Sequence, residues 1–216
     1  MKSAYLALAV SIASVASVHA DDCALVTMKV GKEKELRRFA IEFYEGDAPA
    51  TVENFKKIAK KGFYKGTAIH RAFPSTLIQM GDPLSKDKDR TKVGTGGPGY
   101  TVQPEIRRKH TKGAVVAARL PDRLNPSRVS NGSQFFICLK PIPSYDGQNT
   151  VFGNVLWGLD TLDALSTRST DTNDYPVDRI VVRSVKIMDR SKLPAPPQPA
   201  TSPAAKSGRR WWQFFG

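Results

Sequence analysis

The chain has 216 residues, with 33 Lys and Arg against 20 Asp and Glu, for a formal net charge of +13. At 40% hydrophobic and 25% charged residues it has the composition of one globular domain with short ends, which excludes a disordered or collagen-like chain. Two cysteines and three histidines without CxxC or HExxH spacing exclude the common zinc motifs, and no metal or cofactor is expected.

In chain order, Lys2 leads an apolar run from Ala4 to Val18, and Val18-His-Ala20 ends in a small residue. This is the pattern of a secretory signal peptide, residues 1–20, cut after Ala20. The competing reading, an N-terminal membrane anchor, asks for a longer apolar run. A lipoprotein site is disfavoured because Cys23 follows Ala20-Asp-Asp22 rather than small apolar residues. Cleavage removes Lys2 and no acid, leaving a net +12. The expected destination is the periplasm or the medium, or the endoplasmic-reticulum lumen in a eukaryote. An oxidising compartment permits a disulfide between Cys23 and Cys138, although two unpaired thiols are the preferred expectation.

Residues 21–190 read as the folded domain. Leu25–Val30 and Leu36–Phe43 alternate as half-buried strands, joined by the charged turn 31–35. Pro49 opens a helix with Val52, Phe55, Ile58 and Ala59 on one face, lysines on the other, and Gly62 at its end. Short apolar runs follow at Ala68–Phe73, Leu77–Met80, Ala114–Ala118, Phe135–Leu139, Val151–Leu156 and Ile180–Ile187, with a second short helix over Asp160–Leu165. Many short strands and only two helices predict a mainly β fold, a closed antiparallel barrel. Two long loops stand out, Pro83–Gly99 and Leu120–Asn131, each either functional or a harmless surface insertion. From Leu193 the composition turns to Pro, Ala and Ser, a semi-extended linker over 191–208, before the basic-aromatic tail 209–216.

The excess of lysine and arginine raises nucleic acid or anionic lipid as partners. The basic residues are scattered, and no RNA-binding motif interleaves them with aromatics. A solvated basic surface is expected, with nucleic acid not a partner. The tail is different: Arg209 and Arg210 precede Trp211, Trp212, Phe214 and Phe215, a composition suited to weak contact with a membrane surface or protein, or to folding back on the domain.

The chemistry concentrates in two runs, Thr67-Ala-Ile-His-Arg-Ala-Phe-Pro-Ser-Thr-Leu-Ile-Gln-Met-Gly-Asp82 and Ser130-Asn-Gly-Ser-Gln-Phe-Phe-Ile137. The first sets a cation, Arg71, and an amide, Gln79, on strand-like segments. The second sets Gln134 and Phe136 two apart, hence on one strand face. A cation, two amides and an aromatic floor can clamp an X–Pro peptide bond. Rotation about a peptide bond meets a barrier of about 18–20 kcal/mol. Rotation removes amide resonance and makes the nitrogen pyramidal and more basic. A cation beside it stabilises that change, with no nucleophile or metal required. Arginine suits the role because it carries a permanent charge and fixed donors.

These runs resemble the signature of the cyclophilin family of peptidyl-prolyl cis-trans isomerases. The resemblance extends, in family order, through Asp47–Phe55, Gly62–Gly66, Gly94–Tyr100 and Thr150–Gly153, and covers about Leu25 to Met188. It implies an eight-stranded barrel capped by two helices, a monomer that takes proline-containing polypeptides, and isomerase activity assisting the folding of exported proteins. It implies Arg71 as the catalytic residue. Gln79 and Gln134 match the substrate-side amides, Phe136 the floor of the proline pocket, and Ala117, Ala118 and Arg119 the strand whose backbone holds the residue preceding proline. The chain departs from the family pattern in the pocket wall. Thr76, followed by Leu77, stands where an aromatic is usual, Ser144 stands near the tryptophan of cyclosporin-sensitive members, and Tyr145 and Asn149 replace Leu and His. Tyr145 is expected to refill part of that wall. The departures leave a second reading open, a proline-binding module without catalysis. His70 is expected to be structural.

Overall fold

The computed structural model describes residues 21–87 and 89–197. The expected signal peptide, most of the linker and the aromatic tail lie outside the described residues. Eight strands form one antiparallel sheet: β1 (Asp22–Val30), β2 (Leu36–Phe43), β3 (Arg71–Phe73), β4 (Leu77–Met80), β5 (Ala114–Ala117), β6 (Phe135–Cys138), β7 (Val151–Trp157) and β8 (Ile180–Asp189). Their order is β3-β4-β6-β5-β7-β2-β1-β8. Two helices, α1 (Pro49–Lys60) and α2 (Leu159–Ser166), pack against it.

The eight antiparallel strands and two helices are as expected, and the sheet curls into a half-barrel rather than a fully laddered closed one. β3 and β8 are the two edges of a curled sheet and do not form a ladder with each other. The chain just before β3 reaches β8 through a single bridge, Ala68 to Val181. Three backbone bonds flank it, Gly66 N–H to Val182 O at 2.8 Å, Val182 N–H to Thr67 O at 2.8 Å and Ile69 N–H to Ile180 O at 3.0 Å. The apolar run Ala68–Phe73 therefore divides. Its first part ties to one edge, and only Arg71–Phe73 joins the opposite one.

α1 forms where the periodicity places it. Proline opens it, and Val52, Phe55, Ile58 and Ala59 are buried together with Thr51. Its free N-terminal amides find a distant carboxylate, Glu105, which accepts from Ala50 N at 3.1 Å, Thr51 N at 2.9 Å and Thr51 Oγ1 at 2.8 Å. Phe55 is the hub of the main core, with its ring centroid 5.2–5.6 Å from those of Phe43, Tyr64, Phe135 and Phe152.

Strand alternation assigns the two faces of the sheet. In β6, Phe135 and Ile137 enter the main core, while Phe136 and Cys138 join a smaller apolar cluster on the other face with Leu77, Val116, Ala118 and Val151. That outer cluster floors the site. Cys23 in β1 and Cys138 in β6 are both buried and free, as the unpaired reading expects. Burial pushes the Cys138 thiol up to about 12.

Candidate active site

The two runs singled out in the sequence meet across β3, β4 and β6. Arg71 pairs with Gln79 in the β3–β4 register, and Gln79 pairs with Phe136 in the β4–β6 register. Three strands thus set cation, amide and aromatic in one row on the outer face. Arg71 is exposed, and its guanidinium lies over the ring of Phe73 at 5.0 Å from the centroid. Such stacking holds a planar cation without neutralising it.

The amides form a relay. Gln79 Nε2 donates to Gln134 Oε1 at 2.8 Å, and Gln134 Nε2 donates to the carbonyls of Gly94 at 3.0 Å and Gly96 at 2.8 Å. Asp82, fully buried, takes the other side of the same loop. It accepts from Leu84 N at 2.7 Å, from Gly94 N, and from Gly96 N at 3.4 Å. The glycine-rich segment is therefore gripped through its carbonyls by Gln134 and through its amides by Asp82. Gly96 must lack a side chain, because a Cβ there would collide with Asp82 Oδ1.

The run 130–137 is fixed locally by Asn131. Its Oδ1 accepts from Gln134 N at 3.1 Å and Ser133 N at 3.3 Å, and its Nδ2 donates to Gly96 O at 3.0 Å. Gly81, at φ 94°, lets the backbone of β4 pass against Ser133, whose Oγ donates to Gly81 O at 2.9 Å.

Around Phe136 the aromatic floor is deeper than the sequence suggests. His110 stacks on it at 6.2 Å with 14° between planes, and Tyr145 meets it edge-on at 6.0 Å and 82°. His110 Nδ1 lies 3.2 Å from Asp146 Oδ1, which also accepts from the His110 backbone amide at 2.7 Å. Burial pushes the His110 imidazole below its ordinary value, with Asp146 partly opposing. His70 is also buried, and burial again lowers its pKa. It faces the Ala68 carbonyl and the Gln134 amide without a well-formed hydrogen bond to either.

Phe136 and Tyr145 open onto a groove of about 930 Å3 that gathers Arg71, Thr76, Leu77, Gln79, Ala118, Arg119, Gln134 and Asn149. Ala117 is the exception. Its side chain belongs to the main core, because it alternates with Ala118 along the strand, and only its carbonyl faces the site, accepting from Asn149 Nδ2 at 3.3 Å. Ala118 presents its methyl to the groove, but its amide is taken by Gln134 O at 2.9 Å and its carbonyl by Asn131 N at 2.8 Å. The backbone expected to hold a substrate is thus already bonded at Ala118. Thr76 lines the groove from the tight turn after β3, its hydroxyl spent on Pro74 O at 3.0 Å. Ser144 lies on the exposed 3-10 turn Pro143–Tyr145 and is absent from the groove wall, where Tyr145 stands instead.

The model of the cyclophilin type peptidyl-prolyl cis-trans isomerase family matches residues 25–187. The chain belongs to this family. It is a cyclophilin-type peptidyl-prolyl cis-trans isomerase, and similar proteins are named peptidyl-prolyl cis-trans isomerases or isomerase-like. It is 33% identical over 156 residues to a peptidyl-prolyl cis-trans isomerase-like 1 of Emericella nidulans, covering 70% of this chain and 89% of that protein. It is 32% identical over 166 residues to the Arabidopsis thaliana peptidyl-prolyl cis-trans isomerase CYP18-2, covering 74% and 94%. Among solved structures it is similar to a Cryptosporidium parvum cyclophilin type isomerase, with a TM-score of 0.66, 25% identity, and coverage of 77% of this chain and 97% of that one. A second structure of that isomerase, in the presence of the dipeptide Ala-Pro, gives a TM-score of 0.64, 26% identity and coverage of 77% and 98%.

Several residues of this cyclophilin site escaped the sequence reading. Phe73, which carries the Arg71 guanidinium, follows it by two on the same strand, so period-two alternation was the available signal. Asn131 lay within the run 130–137 without a role assigned to it, and His110 gave no signal. Their roles arise from loops brought together only by the fold.

Proposed function

We propose that this cyclophilin catalyses rotation about X–Pro bonds of exported polypeptides, with Arg71 as the catalytic cation. The observation that carries this reading is the row Arg71–Gln79–Phe136 across three adjacent strands. Phe136 floors the proline ring. Gln79, held in place by Gln134, orients the substrate's backbone. The Arg71 guanidinium, stacked on Phe73, stabilises the pyramidal amide nitrogen as resonance is lost. Each tenfold in rate asks for about 1.4 kcal/mol of differential stabilisation. One charge-assisted hydrogen bond of about 1.5–3 kcal/mol supplies one to two such factors. A structure of the Cryptosporidium parvum relative in the presence of the dipeptide Ala-Pro supports a proline-containing ligand. The test is a prolyl-peptide isomerisation assay on residues 21–216 with and without Arg71→Ala. Equal activity in the two proteins overturns the assignment.

Export rests on the segment Lys2 to Ala20 and names the client class, unfolded chains after translocation. Cell fractionation with N-terminal sequencing tests it, and a chain retained in the cytoplasm with Met1 intact overturns it. The tail Arg209–Gly216 acts, in this reading, as a weak tether to an anionic membrane surface. Liposome co-sedimentation with and without these residues decides, and equal partitioning of both forms removes the tether.

A further inference from the structure

Six large apolar residues are exposed among the described residues, namely Leu36, Tyr100, Leu120, Leu124, Tyr145 and Val177. Three of them, Leu120 at 59%, Leu124 at 58% and Tyr145 at 39%, stand on the rim of the proline groove. Leu120 and Leu124 belong to the long loop 120–131, whose role the sequence left open. Burying a leucine stabilises by about 1.5–3 kcal/mol, so two leucines exposed on one groove offer that energy to whatever covers them.

The loop that carries them is held in place. The Arg119 side chain, only 6% exposed, lies 2.5 Å from Asp122 Oδ1. It also donates to Gln148 O at 2.7 Å and Leu120 O at 2.9 Å. Arg128 takes the other oxygen of Asp122 at 2.6 Å and donates to Gly147 O at 3.0 Å. Asn125 Nδ2 closes the far end on Val129 O at 2.8 Å. Two arginines thus lock the loop, through one carboxylate and two backbone carbonyls, onto the segment 144–149 that bears Tyr145. The arrangement spends their polar groups internally and leaves the leucines facing outward. A wall ordered in advance costs a ligand little further entropy on binding.

We infer that the 120–131 loop adds a second, apolar subsite to the proline groove, and that its occupant is a bulky apolar side chain of the substrate flanking the proline. This inference rests on the isomerase reading of the groove. The groove is continuous from Phe136 to Leu124, and its 930 Å3 far exceeds what one proline ring fills, so a chain bound at Phe136 runs past the leucines. An extended chain advances about 3.3 Å per residue, which brings neighbours of the proline within reach. The enzyme therefore favours prolines embedded in apolar sequence, as exposed by an unfolded chain.

The experiment compares prolyl tetrapeptides with alanine at every flanking position against a series carrying leucine or phenylalanine at each position in turn. The readout is the ratio of kcat/KM, apolar-flanked over alanine-flanked. A ratio near tenfold at one position is expected for the unmodified protein, falling to about one to two in Leu120→Ser/Leu124→Ser. Both leucines are exposed, so the fold tolerates the change. Leu36→Ser, an exposed leucine away from the groove, keeps the tenfold ratio. An identical ratio in the unmodified protein and the double variant overturns the subsite. Absence of isomerisation of every peptide would overturn the isomerase reading instead. Fluorescence anisotropy of the same labelled peptides then reads the subsite alone, and equal Kd for apolar and alanine flanks overturns it.

Discussion

Gln79 donates its side-chain amide to Gln134 at 2.8 Å, and through that one bond β4 is coupled to the glycine-rich segment beyond it. Gln134 is only 4% exposed and spends both ends of its amide inside the protein. It is a positioning residue, and its removal leaves the Gly94 carbonyl without its side-chain donor and the Gly96 carbonyl with Asn131 alone.

Gln134→Leu is therefore expected to lower stability by about 1–3 kcal/mol, the range for losing buried hydrogen bonds while leaving acceptors unpaired. KM should rise severalfold as the segment loosens. Urea denaturation and a prolyl-peptide assay check both. Gln134→Glu, which keeps the acceptor but loses the donors, should retain the bond from Gln79 and lose the grip on the glycines.

Arg71→Ala should lower kcat/KM by tenfold or more, equivalent to about 1.4 kcal/mol of transition-state stabilisation, with an unchanged circular dichroism spectrum. Because Arg71 is exposed and stacks only on Phe73, the loss falls on catalysis rather than on folding. Arg71→Lys should recover part of the rate, since a point charge replaces the fixed fork.

Tyr145 takes the wall position beside Phe136. An edge-on aromatic pair contributes about 0.5–1.5 kcal/mol beyond its buried area, so Tyr145→Ala should raise KM roughly two- to tenfold with kcat little changed. The same wall lacks an indole donor. The unmodified protein should bind cyclosporin weakly, and Ser144→Trp should tighten it. Nanomolar binding by the unmodified protein in titration calorimetry would contradict this assignment of the wall.

Stability should fall in mild acid. His70 and His110 are buried, and burial pushes both imidazoles below their unfolded value of about 6.5. Between the folded and unfolded pKa values the unfolded chain binds more protons, so stability rises with pH across that window. Their contribution is complete above about pH 7 and is lost progressively below about 6.5. Melting temperatures from pH 8 to 5 should show the decline, and His110→Gln should flatten it. A flat profile in the unmodified protein would count against both histidines.

Much of the fold was legible because apolar alternation and proline-glycine punctuation act locally. β2 and β4 have the bounds that their patterns suggested, and α1 buries the face its spacing marked. The site's central row was legible for a different reason, the resemblance of two short runs to a family signature. What stayed hidden depends on distant partners. Ala117 and Ala118 are chemically alike, and only pairing with β6 and β7 decides which methyl enters the core. His110 reaches Phe136 through a loop 26 residues upstream in the chain. The loop 120–131 stood out by length but left function and harmless insertion equally open, because its order comes from carbonyls at positions 147 and 148 that no pattern within the loop announces.

The two cysteines have a consequence for biogenesis. Cys138 is fully buried, and burial pushes its thiol up to about 12, so it stays protonated and out of reach of a disulfide partner. Cys23, buried at the start of β1, is likewise shifted upward by burial. Maturation of this domain thus needs no thiol oxidase or disulfide isomerase, and its melting temperature should be the same with and without dithiothreitol.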